Sequence, residues 1–193
     1  MILHEAAHGW VADWLGDPTA RLKGRLTLDP RPHIDPLMTL GLPFLLILTG
    51  SPIIFGAAKP VPVDTFNLRE PKKDMALISA AGPVTNLLIA LFFAILFRLS
   101  PFFFSPSFST LNSLFVYCAS INVTLAIFNL LPLPPLDGAK VVAGVLPDKH
   151  ANILLSLERF GLTFIIVILF FFSPIIDGIV MPVSRTILKL LFF

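Results

Sequence analysis

The sequence predicts an all-α polytopic membrane protein, with about four to six membrane helices and a small β element between the first two. Three observations predict it. Only 13% of the 193 residues are charged, about half the share an ordinary soluble domain needs to coat its surface. The mean hydropathy is +0.86. The charges also cluster, so that long stretches carry none. This composition excludes disordered, collagen-like and disulfide-scaffold classes, and the length suits a single domain, here residues 1–193. A formal net charge of +2 is too small to suggest a nucleic-acid partner. The single cysteine, Cys118, cannot form an internal disulfide and sits in an apolar stretch where packing explains it.

About 20 consecutive apolar residues span a bilayer as helix. Residues 36–58 and 75–97 contain no charge, nor do residues 99–136, where prolines and serines break the first part and place a helix at 110–131. A fourth charge-free run covers 160–176. The last stretch, 179–193, carries Arg185 and Lys189 and reads as an interfacial amphipathic helix. The phenylalanine runs at 102–104 and 170–172 read as lipid-facing filler. Lys140 and Arg159 read as residues that snorkel from helix ends.

Two polar, basic segments separate the early spans. In the first, Leu22, Leu26 and Leu28 alternate with Lys23, Arg25 and Thr27, which predicts a strand. Its charged face would stay wet, and its free edge could hold an unwound peptide extended. The second contains Lys59-Pro60-Val61-Pro62-Val63, extended by prolines that cannot pair in a central strand. The plainer alternative for both is a pair of solvated loops. Basic residues flank the 36–58 span on both sides, so charge does not fix orientation.

The chemistry begins at residue four. His4-Glu5-Ala6-Ala7-His8 is an H-E-x-x-H motif. Residues four apart share a helix face, so both imidazoles can reach one Zn2+ ion. Glu5 then stands beside the metal rather than on it, as the base for a zinc-activated water. An incidental helix start is the alternative, and ionisable groups at membrane depth argue against it. Catalytic zinc takes three protein ligands, so one is missing. Asp137 follows Pro132, Pro134 and Pro135, which break the preceding helix, and irregular backbone at membrane depth belongs where it lines a cavity. Asp137 therefore reads as the third ligand, or else as the N-cap of a short helix over 138–146. With two histidines already in place, the ligand reading is favoured. His33 and His150 lie in polar loop contexts and read as solvated.

The chain resembles the site-2 protease family of intramembrane zinc metalloproteases, in its compact bacterial form. Three motifs carry the likeness: His4-Glu5-Ala6-Ala7-His8, Gly82-Pro83-Val84-Thr85-Asn86, and Asn129 through Asp137-Gly138. Gly16-Asp17-Pro18-Thr19-Ala20, His33-Ile34-Asp35-Pro36 and Ala58-Lys59-Pro60-Val61-Pro62-Val63 also fit this branch. The resemblance covers residues 1 to about 150. It implies that His4, His8 and Asp137 bind one zinc, that Glu5 is the catalytic base, and that the substrate is a transmembrane or membrane-proximal peptide. It also implies substrate or oxyanion positioning for Asn86 and Asn129. The plainer alternatives are a helix–helix hydrogen bond for Asn86 and helix-end capping for Asn129. The expected location is a bacterial cell membrane, crossed several times.

The resemblance also implies a hydrophobic half-helix before the motif. Only Met1, Ile2 and Leu3 precede His4, so a natural reading frame with roughly 10–20 further apolar residues is expected. Two other functions could use the same ligands: a catalytically silent membrane scaffold and a zinc transporter. Neither needs a base beside the metal, and the intact Glu5 speaks against both.

Overall fold

The structure is a computed structural model that describes residues 1–50, 56, 58–103, 109–161 and 176–193. Helices dominate it. They are α1 (Ile2–Leu15), α2 (Thr19–Leu22), α3 (Leu42–Leu48), α4 (Pro71–Phe103), α5 (Ser109–Asn129), α6 (Asp137–Val145), α7 (Asp148–Ser156) and α8 (Met181–Phe192). Two of them, over Pro71–Pro101 and Thr110–Asn129, are long and apolar enough to cross a membrane. Only 28% and 22% of their apolar windows are buried within the protein. A soluble core helix would be mostly covered, so these largely uncovered apolar faces suit a membrane location.

α4 is the axis of the molecule, packed against α1, α5 and α6. A buried cluster of Ala90, Ala119, Val123, Ile127, Leu131 and Val180 joins α4 to α5 and to the end of the chain. Small residues let the backbones approach, as membrane helix contacts require. Ile187, Leu188 and Leu191 of α8 close this cluster from one side, while Arg185 and Lys189 remain exposed. A second cluster, Ala12, Leu68 and Ile78, fastens α1 to α4.

Helix α1 stops at Gly16, whose φ of 111° is left-handed, with the Gly16 N–H donating to Asp13 O and the Asp17 N–H to Ala12 O. This paired closure is the usual glycine C-cap.

Several expectations need correction. The small β element is not formed, and no strand occurs among the described residues. Leu22 ends α2, Gly24 turns left-handed at φ 65°, and residues 26–28 are bends. The leucine alternation did not mark a core face, because Leu22 and Leu28 are 78% and 58% exposed. Arg25, expected on a wet face, is buried. The 36–58 span is interrupted. A π-helical turn over Pro36–Gly41 leads into α3, which ends at Thr49 and Gly50. The apolar helix Pro36–Leu48 is shorter than a span, and residues 51–55 and 57 lie outside the described residues. So do residues 162–175, on which the fourth expected span falls, and the side chains of both phenylalanine runs. His33 is buried, with Nε2 3.0 Å from Thr27 O, rather than solvated; His150 is exposed as expected. Lys140 pairs with Glu158 at 3.8 Å, and the Arg159 guanidinium lies 4.9 Å over the Phe160 ring.

Candidate metal centre

Each donor at the centre is placed by a helix. The four-residue spacing sets His4 and His8 on one face of α1, both buried, with Nε2 atoms 3.2 Å apart. Asp137 arrives from the other side, as the first residue of α6. Its Oδ2 lies 3.2 Å from His4 Nε2 and 3.4 Å from His8 Nε2. Leu136 occupies the cap position of α6 and makes no side-chain cap. Asp137 is thus inside the helix, and its carboxylate faces the histidines instead of capping.

Two glycines make this approach possible. A Cβ on Gly82 of α4 would come within 2.5 Å of His4 Cε1 and of His8 Nε2. A Cβ on Gly138 would collide with the carbonyls of Leu130 and Leu131, so the turn before α6 could not fold back under Asp137. The next residue after Gly82 is Pro83, fully buried. It has no N–H, so the Ser79 carbonyl loses its helical partner. One residue earlier, the Ile78 carbonyl accepts from His8 Nδ1 at 2.6 Å.

His4, His8 and Asp137 form the one group of three such donors found among the described residues, with donor atoms within 4.8 Å of one another. Two imidazole nitrogens and a carboxylate oxygen are the donor set of catalytic zinc, which keeps a further position open. Space for that position exists. The trio borders a cavity of about 430 Å³, also lined by Glu5, Asn86, Asn129 and Lys140.

The opposite wall of the cavity is an irregular strap, residues 58–64. Val61 N–H donates to Glu5 Oε2 at 3.3 Å. The strap is held at both ends by buried side chains from the α1–α3 region. Arg25 Nη2 donates to Lys59 O at 2.6 Å and to Pro60 O at 3.2 Å, and Lys59 N–H donates to His33 O. At the other end, Asp17 is fully buried and accepts from Asp64 N–H at 2.7 Å and from Asn67 Nδ2 at 2.9 Å. It also accepts from Thr19 Oγ1 and Thr19 N–H. Burial pushes the Asp17 carboxyl up, but these four hydrogen bonds to the ionised form outweigh it and hold Asp17 below the usual carboxylate range.

Of the residues singled out in sequence, His4, Glu5, His8, Asn86, Asn129 and Asp137 share this one cavity. Asn129, the last residue of α5, donates from Nδ2 to Leu125 O at 3.0 Å. Sequence reasoning missed Arg25 and Asp17 as structural pins. A signal existed for Asp17, since Gly-Asp-Pro-Thr after a helix is strong turn chemistry; Arg25 gave none.

Peptidase family M50 matches residues 1–173. The chain belongs to that family. Its members are the site-2 proteases, as the motifs indicated, and the protein is a zinc metalloendopeptidase of that type. A Bacillus subtilis (strain 168) protein provisionally named zinc metalloprotease YwhC is 36% identical over 97% of this chain and 85% of its own length. Rip2 of Mycobacterium tuberculosis (strain H37Rv), also provisionally named a zinc metalloprotease, is 34% identical over 92% of this chain. The chain spans 65% of the length of Rip2. A Methanocaldococcus jannaschii protein of similar provisional name, MJ0611, is 35% identical over 47% of the chain. No solved structure matches.

Proposed function

We propose that the protein cleaves transmembrane or membrane-proximal peptides inside the bilayer of a bacterial cell, as a multi-pass enzyme using one zinc. His4, His8 and Asp137 would hold the ion, and Glu5 would serve as the base. The observation that carries this reading is the position of the trio. It packs on Gly82, inside the charge-free part of the long apolar helix Pro71–Pro101 and about a third of the way from Asp74 to Arg98. Ionisable groups at that depth are costly and are retained for function.

When bound there, zinc would supply Lewis acidity, polarising a carbonyl and acidifying a water. The remaining work falls to the chain. Glu5, one residue past the first histidine, takes the proton of the attacking water at Oε and later delivers it to the departing amine. The Val61 N–H fixes Glu5 Oε2, leaving Oε1 for that proton. The small Ala6, Ala7 and Gly9 keep α1 close to its neighbours, which limits water to the cavity. A substrate helix must unwind before its carbonyl reaches the site, because its own hydrogen bonds occupy its backbone groups.

Glu5→Gln tests the reading. Cleavage of a membrane substrate should fall by at least about 10²–10⁴-fold with zinc content unchanged, whereas Asp137→Ala should lose most of the metal. Cleavage that persists in Glu5→Gln would favour another base. Cleavage absent in the unaltered protein while zinc still binds would favour the scaffold or transporter readings. Full zinc retention in Asp137→Ala would assign the third ligand elsewhere.

A further inference from the structure

The two histidines present Nε2 to the same point but are held differently from behind. His8 Nδ1 faces the Ile78 carbonyl at 2.6 Å. A carbonyl only accepts, so neutral His8 carries its proton on Nδ1 and keeps a lone pair on Nε2. His4 has no carbonyl behind it. Its Nδ1 faces the side-chain amide of Asn86, with Nδ2 at 3.2 Å. Asn86 is 1% exposed, one turn beyond Gly82 on α4, and its Oδ1 is buried without a partner.

An amide can face a ring nitrogen with either end. With Nδ2 turned inward, His4 Nδ1 must accept, and the proton of neutral His4 moves to Nε2. There it points at Asp137 Oδ2, 3.2 Å away. That tautomer leaves His4 Nε2 no lone pair for a cation. Turning the amide by a half-rotation exchanges oxygen and nitrogen at almost no change of shape. Oδ1 then accepts from His4 Nδ1–H, and His4 Nε2 is free to ligate. Asn86 keeps one unpartnered end in either orientation, so its own hydrogen bonding does not decide between them. The cation does.

We propose that Asn86 is the positioning residue that sets the tautomer of His4, with Oδ1 turned to Nδ1–H so that Nε2 keeps the lone pair a cation needs. This rests on the zinc reading above. It gives Asn86 a role in metal affinity that is separate from any contact with substrate. Metal-ligating histidines usually donate their second N–H to an oxygen, and loss of that oxygen typically weakens binding 10–100-fold. The ordinary acceptor is a carbonyl or carboxylate. Here it is a side-chain amide oxygen on one histidine and a backbone carbonyl on the other.

The test uses the full chain in detergent, with zinc affinity measured by chelator competition on Asn86→Asp and Asn86→Leu. Asn86→Asp offers only acceptors and should bind zinc at least as tightly as the unaltered protein. Asn86→Leu should bind about 10–100-fold more weakly. ¹⁵N spectra of the histidine-labelled, zinc-loaded protein should show His4 protonated on Nδ1 and ligating through Nε2, in the unaltered chain and in Asn86→Asp. The spectra decide the matter even where Asn86→Leu does not fold. Unweakened binding in Asn86→Leu would overturn the proposal, as would equal weakening in both variants. So would a zinc-loaded His4 that ligates through Nδ1. The underlying zinc reading fails separately, if His4→Ala binds zinc as the unaltered protein does.

Discussion

On one side of the cavity, three donor atoms hang from α1 and α6 against the glycine face of α4. On the other, a single N–H reaches Glu5 from a strap with no regular structure. The helical side is held by its own backbone. Its spacing follows from 3.6 residues per turn, and its closeness follows from the missing Cβ atoms of Gly82 and Gly138. The strap has no ladder of its own. It is held by side chains that come from elsewhere, Arg25 at one end and Asp17 at the other. The proposed metal ligands are therefore sensitive to volume, and the proposed base is sensitive to remote hydrogen bonds.

The largest expected effect is on the helical side. Gly82→Ala adds one methyl where both imidazoles already lie, and neither ring can withdraw without leaving Asp137. Zinc affinity should fall by more than about 100-fold, beyond the range of an outer contact. Elemental analysis of the purified variant measures it. Retention of zinc would mean that α4 can shift away from α1 at little cost, and the contrast between the two sides would vanish.

A smaller effect is expected at the strap. Arg25→Ala leaves the Lys59 and Pro60 carbonyls without their charged donor, a cost of about 2–4 kcal/mol. Zinc content should stay within a few-fold of the unaltered protein while cleavage falls about tenfold, since only the aim of Glu5 changes. Loss of zinc in this variant would merge the two sides into one unit. The other pin adds a mild acid dependence. The folded Asp17 carboxyl titrates below its unfolded value, so its contribution is complete above about pH 4. It is lost as pH falls through the lower, folded value. Thermal melts should therefore show an acid-side decline that Asp17→Asn flattens.

The helical side was also the legible one. His4 and His8 are four residues apart on a single helix with Glu5 next to the first, and the charge-free runs marked α4 and α5. Asp137 could be placed because prolines break the helix before it. The strap side was hidden for a physical reason. Alternating leucines report a buried face only where water covers the other face, and here Leu22 and Leu28 are exposed while Arg25 turns inward. The partners of Arg25 lie 34 and 35 residues away, at carbonyls that any residue type would carry. His33 was misjudged on the same grounds, since its acceptor, Thr27 O, is backbone. The role of Gly82 was visible as a motif, but its cause, the two imidazoles above it, needed three dimensions.

The length of α4 has a consequence for the lipid. Between Asp74 and Arg98 the helix rises about 36 Å at 1.5 Å per residue, against a hydrocarbon core of about 30 Å. Such hydrophobic mismatch is relieved by tilting the helix or thickening the bilayer around it. Gly82 lies eight residues from Asp74 and sixteen from Arg98, so tilt changes the depth of the site as well as its angle. Reconstitution in lipids of increasing chain length should move the scissile bond along a given substrate helix, and a fixed cleavage position would show that packing alone sets the tilt. Under the proposed function, the choice of peptide bond is then a property shared between the protein and the thickness of the membrane that holds it.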